Sequence, residues 1–487
     1  MQKIKNINNL ILLSLLFSLL FGVLLRLYNL NFDNLWFDEI VSFWVADPSL
    51  DIKENFIRNN KAEGTPFLWN FLLSIFYDLF GYETYVGRYL STMFGILSFF
   101  SIAYLSKIIK NNNSYVLTFF LVSSNVFLII YSQEMRVYSL VFFLCSLNLI
   151  YFFKLINSHK TKKFLILNSF LFVLFQILTI LSHPFTLIIF FSFFLFSLVS
   201  FLFKKINYKY LNFSLGIIVM FILIYIPDFI INSNSYPNWV TQPGIKFYTN
   251  FYFSKFFGSR LVGLIHLIIL LSLIIKFRKN FLSELNEKIV LLFIIFLSYF
   301  LPIIFGYIIA PIIWPRYIIF VIIPILLILS YLIFEIQNKN IKYSLIFIIV
   351  IFTLGNQLTE TNVQQFFKDR PYHKPNYSFA LKEIDNSNYK DFAINLVFTE
   401  KPSHKIVFNK ALGNYFNKLI EYNNLQLRFN EKIDLNNLKD NFIWIMCLQN
   451  IGGPDPGCIN LNLKEKFTVL DEKYFVGFNF KLIQISK

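Results

Sequence analysis

Eleven long apolar stretches recur along the chain, at about 10–27, 84–106, 114–131, 137–153, 164–182, 185–203, 210–231, 259–275, 289–308, 317–334 and 343–355. About 20 apolar residues carry a helix across the roughly 30 Å of a bilayer's hydrocarbon. Inside hydrocarbon, only helices and closed barrels satisfy their own backbone hydrogen bonds. Runs of this length therefore read as spanning helices and exclude a water-soluble globular chain. Composition agrees: 56% of the 487 residues are hydrophobic and only 15% are charged, against about 25% charged in soluble domains. The first stretch is followed by Arg26-Leu27-Tyr28-Asn29-Leu30 and not by a run of small residues, so an uncleaved anchor is expected rather than a signal peptide.

The net charge of +16 invites a nucleic-acid reading, but the cations sit in short clusters between apolar runs, as loops beside a membrane would carry them. With the N-terminus in the cytoplasm, inner loops hold Lys107 and Lys110; Lys154, Lys160, Lys162 and Lys163; Lys204, Lys205 and Lys209; Lys276, Arg278 and Lys279; and Lys339 and Lys342. Outer loops hold few cations, among them Arg136, Lys246, Lys255 and Arg316. The segment Thr65 to Phe80 is apolar but holds Asp78 and follows Gly64-Thr65-Pro66; a crossing there would invert every later loop. It is expected to lie in the outer interface as an amphipathic helix. The expected fold class is thus a polytopic α-helical membrane protein of about eleven spans in the inner or plasma membrane.

Eleven crossings put everything after Asn356 outside. The tail of about 130 residues gains Asn, Asp, Glu and Lys. It shows alternating strand patterns at Phe392 to Phe398 and Phe475 to Ile485 and helical spacing at Lys410 to Tyr422. Two domains are expected: residues 1–355 in the membrane, with a first outer loop at 31–83, and a small extracytoplasmic α/β domain at 356–487. Cys145 falls in a span and reads as core filler. Cys447 and Cys458 flank a Gly- and Pro-rich turn in the tail, where an oxidising compartment lets them form a disulfide.

On this topology a set of polar side chains of mixed charge gathers at the outer face: Asp38 and Glu39, Lys61 and Glu63, Arg88, Glu134 and Arg136, His183 and Arg316. Asp38 and Glu39 stand among Trp36, Phe37 and Trp44, although an acid near hydrocarbon is costly, by about 2.5–3.5 kcal/mol at mid-membrane. Loop polarity and snorkelling account for Lys61, Glu63 and Arg88 as readily as function does; Glu134 and Arg136 could form a structural ion pair, and His183 could cap a helix before Pro184. Asp38, Glu134 and Arg316 are hemmed by aromatic or apolar residues in short connections. Histidine is too sparse for a His-based metal site, and no metal is assigned. A divalent cation held by Asp and water stays open as a cofactor.

The sequence holds no P-loop, dinucleotide-binding turn, nucleophile elbow or HExxH helix. Chemistry must then run on carboxylates and cations. That set suits transfer of a group from a lipid phosphate: a base takes the acceptor's proton, and Arg or His holds the departing phosphate.

The order of motifs resembles a known superfamily. An Asp-Glu pair follows the first span; a Pro-Phe-Leu-Trp segment ends in Leu-Phe-Gly; Val-Gly-Arg-Tyr-Leu-Ser enters the second span; Tyr-Ser-Gln-Glu-Met-Arg-Val-Tyr-Ser-Leu and Arg316-Tyr317 come later. Over about residues 10–335 this resembles the GT-C type polyprenyl- and dolichyl-phosphate-sugar glycosyltransferases, in the protein mannosyltransferase and lipid A aminoarabinose transferase superfamily (family 39/83-like). The resemblance implies an inverting transferase that moves a sugar from a polyprenyl-phosphate donor to an acceptor hydroxyl on a lipid, glycan or protein. Asp38 then matches the catalytic aspartate, with Glu39 beside it, and Glu134 the acid of the second outer loop. Arg316 and His183 would contact the lipid phosphate, and Arg136, Arg88 and Lys61 complete the candidate cations. Gly64-Thr65-Pro66 departs from the family's His or Asn before Pro-Pro. The competing readings are a flippase or transporter of lipid-linked sugars, which would break helices or bury charges at mid-span, and a membrane scaffold.

Overall fold

The computed structural model describes residues 2–110, 112–156, 161–204, 208–232, 240–277, 285–368, 374–396, 402–421, 424–430, 432–433, 441–448, 467–475 and 478–485. The chain divides into two compact units: Met1–Tyr28, Gly64–Trp69 and Arg88–Asp369 form one; Asn29–Glu63, Asn70–Gly87 and Arg370–Lys487 form the other. The second unit thus draws most of the first outer loop together with the tail.

The first unit is a helical bundle. Among the described residues, eight helices are long and apolar enough to span: Asn9–Leu27, Val86–Ile109, Tyr138–Ile156, Lys162–Ser182, Pro184–Phe203, Lys288–Ile308, Pro315–Phe334 and Lys339–Glu360. Each covers an expected span. The expected span at 114–131 is corrected: it is two helices, Ser114–Ser123 and Val126–Ser132, bent by 51°. Hydropathy does not register the cause, which is Ser123-Ser124-Asn125: the Asn125 side chain accepts the Leu128 N–H at 3.0 Å and starts a new helix. Two more apolar helices, Lys209–Asn232 and Arg260–Lys276, lie on the remaining expected spans. The second is 17 residues long, and the described apolar part of the first ends at Tyr225. Leu68–Phe80 is a 13-residue apolar helix, shorter than a crossing needs.

Aromatic stacking fills the bundle, with Phe152 packed on Phe193 at 4.4 Å and Phe172 on Phe193 at 5.3 Å. Cys145 is buried and free.

The second unit is α/β. Its five-stranded sheet has the order β2 (Gln426–Leu427), β1 (Asp391–Leu396), β5 (Phe442–Leu448), β7 (Phe478–Ile485), β6 (Phe467–Phe475), and β3 (Phe429–Asn430) pairs with β4 (Lys432–Ile433) in a separate ladder. β1 runs parallel to β2 and β5, while β7 is antiparallel to β5 and β6. Helix Pro402–Ile420 follows β1 in sequence and precedes β2, the connection a parallel pair requires. The core is Ala393, Ile443, Ile445, Cys447, Ile483 and Ile485, with Phe467 against it. The expected strand at Phe475 to Ile485 is corrected to two paired strands, β6 ending at Phe475 and β7 beginning at Phe478. The expected strand at 392–398 appears as Asp391–Leu396; Val397 and Phe398 lie outside the described residues. Cys447 is disulfide-bonded; Cys458 lies outside the described residues.

Candidate active site

In the bundle unit, a short loop joins Val126–Ser132 to Tyr138–Ile156, and its backbone is pinned from several sides. Thr92 Oγ1 donates to the Ser132 carbonyl at 2.9 Å, Ser139 Oγ to the Tyr131 carbonyl at 2.9 Å, and Gln133 Nε2 to the Leu25 carbonyl at 3.0 Å. The Arg136 N–H closes a tight turn on the Glu134 carbonyl at 2.7 Å. Both side chains of the expected Glu-x-Arg pair are buried, as is Arg88.

His183 ends helix Lys162–Ser182, and its Nδ1 accepts the Phe185 N–H at 3.3 Å. The ring therefore carries its proton on Nε2 when neutral. Burial, then the charges of Arg316 and Arg136, push its pKa down to about 3. At neutral pH it is a neutral donor, not a cation.

Arg316 opens a 3-10 turn, Pro315–Val321, where Pro315 supplies the first-turn proline. Its guanidinium carbon lies 5.7 Å from the centre of the Tyr138 ring and 5.6 Å from that of Tyr317. The His183 ring is 5.4 Å from Tyr317 and 6.0 Å from Tyr138. Tyr131 packs on Tyr138 at 5.1 Å and stands in the fields of Glu134 and Arg316. Four expected residues, Glu134, Arg136, His183 and Arg316, thus collect around three tyrosines. Two guanidinium groups and an imidazole N–H among rings can hold an anion such as a phosphate. Tyr131, Tyr138 and Tyr317 had no part in the expected site, although each stands within three residues of a charge in its motif.

In the second unit, helix Phe37–Val45 carries Asp38 and Glu39 in its first turn, where acids favour the helix dipole. Their environments differ. Glu39 is fully buried; its Oε2 accepts the Trp36 N–H at 3.2 Å and Lys374 Nζ at 3.1 Å. That is the returning half of a capping box, completed by an ammonium. Asp38 is half-buried, one residue away on the same turn. Lys374 was not foreseen; 335 residues separate it from Glu39. Lys61 is exposed in the last turn of helix Ile52–Ala62, and Glu63 accepts Ser42 Oγ at 2.9 Å. Around the acidic turn, Tyr82 Oη donates to the Phe43 carbonyl at 2.9 Å and the Leu35 N–H donates to Tyr415 Oη at 3.3 Å. Among the described residues, no three His, Cys, Asp or Glu side chains are grouped to hold a metal ion.

No family model matches the sequence, and no curated protein matches it. Solved structures do. ArnT from Cupriavidus metallidurans bound to undecaprenyl phosphate superposes with a TM-score of 0.61 over 97% of this chain and 98% of that one, at 10% identity. The chain has the fold of ArnT. The oligosaccharyltransferase AglB from Archaeoglobus fulgidus, in complex with an inhibitory peptide and a dolichol-phosphate, gives a TM-score of 0.51 at 11% identity, covering 90% of this chain and 69% of that one. Its apo form gives 0.54 at 12% identity over the same shares. ArnT and AglB are both GT-C fold glycosyltransferases. The expected fold class is thereby met in a multi-pass helical membrane protein with a small C-terminal sheet.

Proposed function

We propose that this protein is an inverting glycosyltransferase that uses a polyprenyl-phosphate sugar at the extracytoplasmic face of the membrane. The observation that carries the reading is the cluster of Arg136, Arg316 and neutral His183 among Tyr131, Tyr138 and Tyr317, in a fold shared with a transferase bound to a polyprenyl phosphate. A phosphate ester at the sugar's anomeric carbon is a good leaving group that needs charge stabilisation more than protonation.

In the proposed reaction an acceptor hydroxyl oxygen attacks the anomeric carbon, and the bond from that carbon to the phosphate oxygen breaks with inversion. The bonding pair leaves with the phosphate. Arg136 and Arg316 take up the developing charge, and His183 contributes its Nε2–H. Asp38 receives the acceptor's proton. Between the two acids, Asp38 suits this role because it is half-buried and open to an acceptor, whereas Glu39 is fully buried against Trp36 and Lys374; Glu39 fixes the turn that presents its neighbour. Glu134, buried near Tyr131, orients the tyrosine-lined cluster.

The transporter reading draws on the broken span at Ser124-Asn125, since transporters use such breaks to line a substrate path. Here Gln357 Nε2 donates to the Ser124 carbonyl at 2.7 Å and Arg26 takes the two carbonyls before it. A break already filled by the protein's own donors favours the enzyme reading.

The test is binding of polyprenyl phosphate, without its sugar, to purified protein in detergent. Wild type should bind it, and Arg316→Lys should bind about tenfold more weakly, the loss of roughly one charge-assisted hydrogen bond at about 1.5 kcal/mol. Equal affinity in the two proteins would remove Arg316 from the phosphate site.

A further inference from the structure

Arg26 is fully buried in the first span, and nothing in the reaction above uses it. Its guanidinium makes four hydrogen bonds: Nη1 to the Gly22 carbonyl at 3.1 Å and the Ser123 carbonyl at 2.6 Å, Nη2 to the Val122 carbonyl at 3.2 Å, and Nε to Ser132 Oγ at 3.1 Å. The group also lies 4.4 Å from the centre of the Phe99 ring. Val122 and Ser123 end helix Ser114–Ser123, whose last carbonyls lose their helical donors at the break. That end is the negative pole of a helix dipole, so a cation there is favoured. Ser132 ends the other half of the same broken span.

One planar fork therefore ties both halves of the span to the first helix. The tie is reciprocal: Gln133, the residue after Ser132, donates from Nε2 to the Leu25 and Arg26 carbonyls at 3.0 and 3.3 Å. The residues that follow are Glu134, Met135 and Arg136. Close approach supports the arrangement. A Cβ at Gly95 would fall 2.3 Å from Ser132 Oγ and 3.2 Å from Arg26 Nε, and one at Gly22 would fall 2.7 Å from Ser123 Cβ. Both glycines leave room for the fork.

We propose that Arg26 is a positioning residue for the reaction: through Ser132 it sets where the loop bearing Glu134 and Arg136 stands. The proposal rests on the roles given to those two residues above. A lysine could not reproduce it, because a single ammonium nitrogen cannot present separate donors to Ser132 and to two successive carbonyls in one plane.

The test uses the full chain with Ser132→Ala, which removes the hydroxyl that accepts from Arg26 Nε and donates to the Leu128 carbonyl, and with Arg26→Lys. Hydrogen–deuterium exchange should rise about tenfold in peptides covering residues 133–137 in both variants, and stay unchanged in helices Tyr138–Ile156 and Lys162–Ser182. Turnover of a polyprenyl-phosphate sugar should fall about tenfold with the acceptor KM unchanged, and the melting temperature of Ser132→Ala should fall less than that of Arg26→Lys. Unchanged exchange at 133–137 in both variants overturns the proposal. So does loss of protection there with full turnover, or a rise in exchange spread over the whole bundle, which marks a general packing role. If the wild type transfers no sugar, the functional reading fails, and the exchange measurement alone decides the clamp by the same criterion.

Discussion

Replacing Lys374 with Met tests whether Glu39 is a structural acid. The side chain of Glu39 is 0% exposed and that of Lys374 is 17% exposed, with Nζ and Oε2 3.1 Å apart. At an effective dielectric of about 20 the attraction across that distance is about 5 kcal/mol before desolvation is counted. Removing one partner of a buried pair commonly costs about 3–5 kcal/mol, because the remaining charge stays buried. Lys374 is partly open to solvent, and Glu39 keeps the Trp36 N–H, which places the expected loss at the low end, about 3 kcal/mol. Methionine keeps the apolar stem and deletes only the ammonium. Denaturant unfolding in detergent, followed by tryptophan fluorescence, reads the loss; Trp36, whose ring centre is 5.9 Å from Lys374 Nζ, is a local reporter. Adding Glu39→Gln to Lys374→Met should recover most of the loss, since the stranded charge is gone. A loss below about 0.5 kcal/mol, the size of an exposed surface pair, would refute the reasoning, as would a double variant no better than Lys374→Met.

The His183 ring is held neutral in the folded protein, with its pKa pushed down to about 3 from an ordinary value near 6.5. Its contribution to stability is then complete above pH 6.5 and is lost as pH falls from 6.5 toward 3, with a slope of about 1.4 kcal/mol per pH unit. Melting curves from pH 7.5 to 4 should show His183→Gln losing less stability than wild type on acidification; parallel curves would mean the ring is already charged. Cys447 is oxidised and Cys145 is free, and pairing of Cys447 with Cys458 outside the membrane predicts one alkylated thiol in unfolded, unreduced protein and three after reduction. A C-terminal reporter should read as extracytoplasmic, and a cytoplasmic signal would overturn the orientation.

The bundle was legible because spanning length is a property of the run itself: twenty apolar residues can do little else in a bilayer. The break at Ser124-Asn125 was not, because Ser123, Ser124 and Asn125 scarcely alter a hydropathy average, while one asparagine cap starts a new helix. Four of the site's polar residues were visible as polar groups in short connections, namely Glu134, Arg136, His183 and Arg316. Which acid of the pair is the more accessible was not legible. That depends on Lys374, far along the chain, and on the capping bond that occupies Glu39. Arg26 left one trace, an arginine within an apolar run; its four acceptors come from three separate segments. The division between β6 and β7 was missed because Phe475 and Val476 lead, with only Gly477 between, into the alternating Phe478, Phe480 and Leu482, and read as one apolar run.

Release of free polyprenyl phosphate from a polyprenyl-phosphate sugar, measured with wild type and Asp38→Asn, tests the central claim most directly. Asparagine keeps the shape of Asp38 and removes its proton affinity. Wild type should release lipid phosphate one-for-one with sugar transferred. Asp38→Asn should bind the donor as tightly and turn it over about 10²–10⁴ times more slowly. Equal turnover in the two proteins, or transport of the intact donor across the bilayer with no lipid phosphate released, would contradict the account.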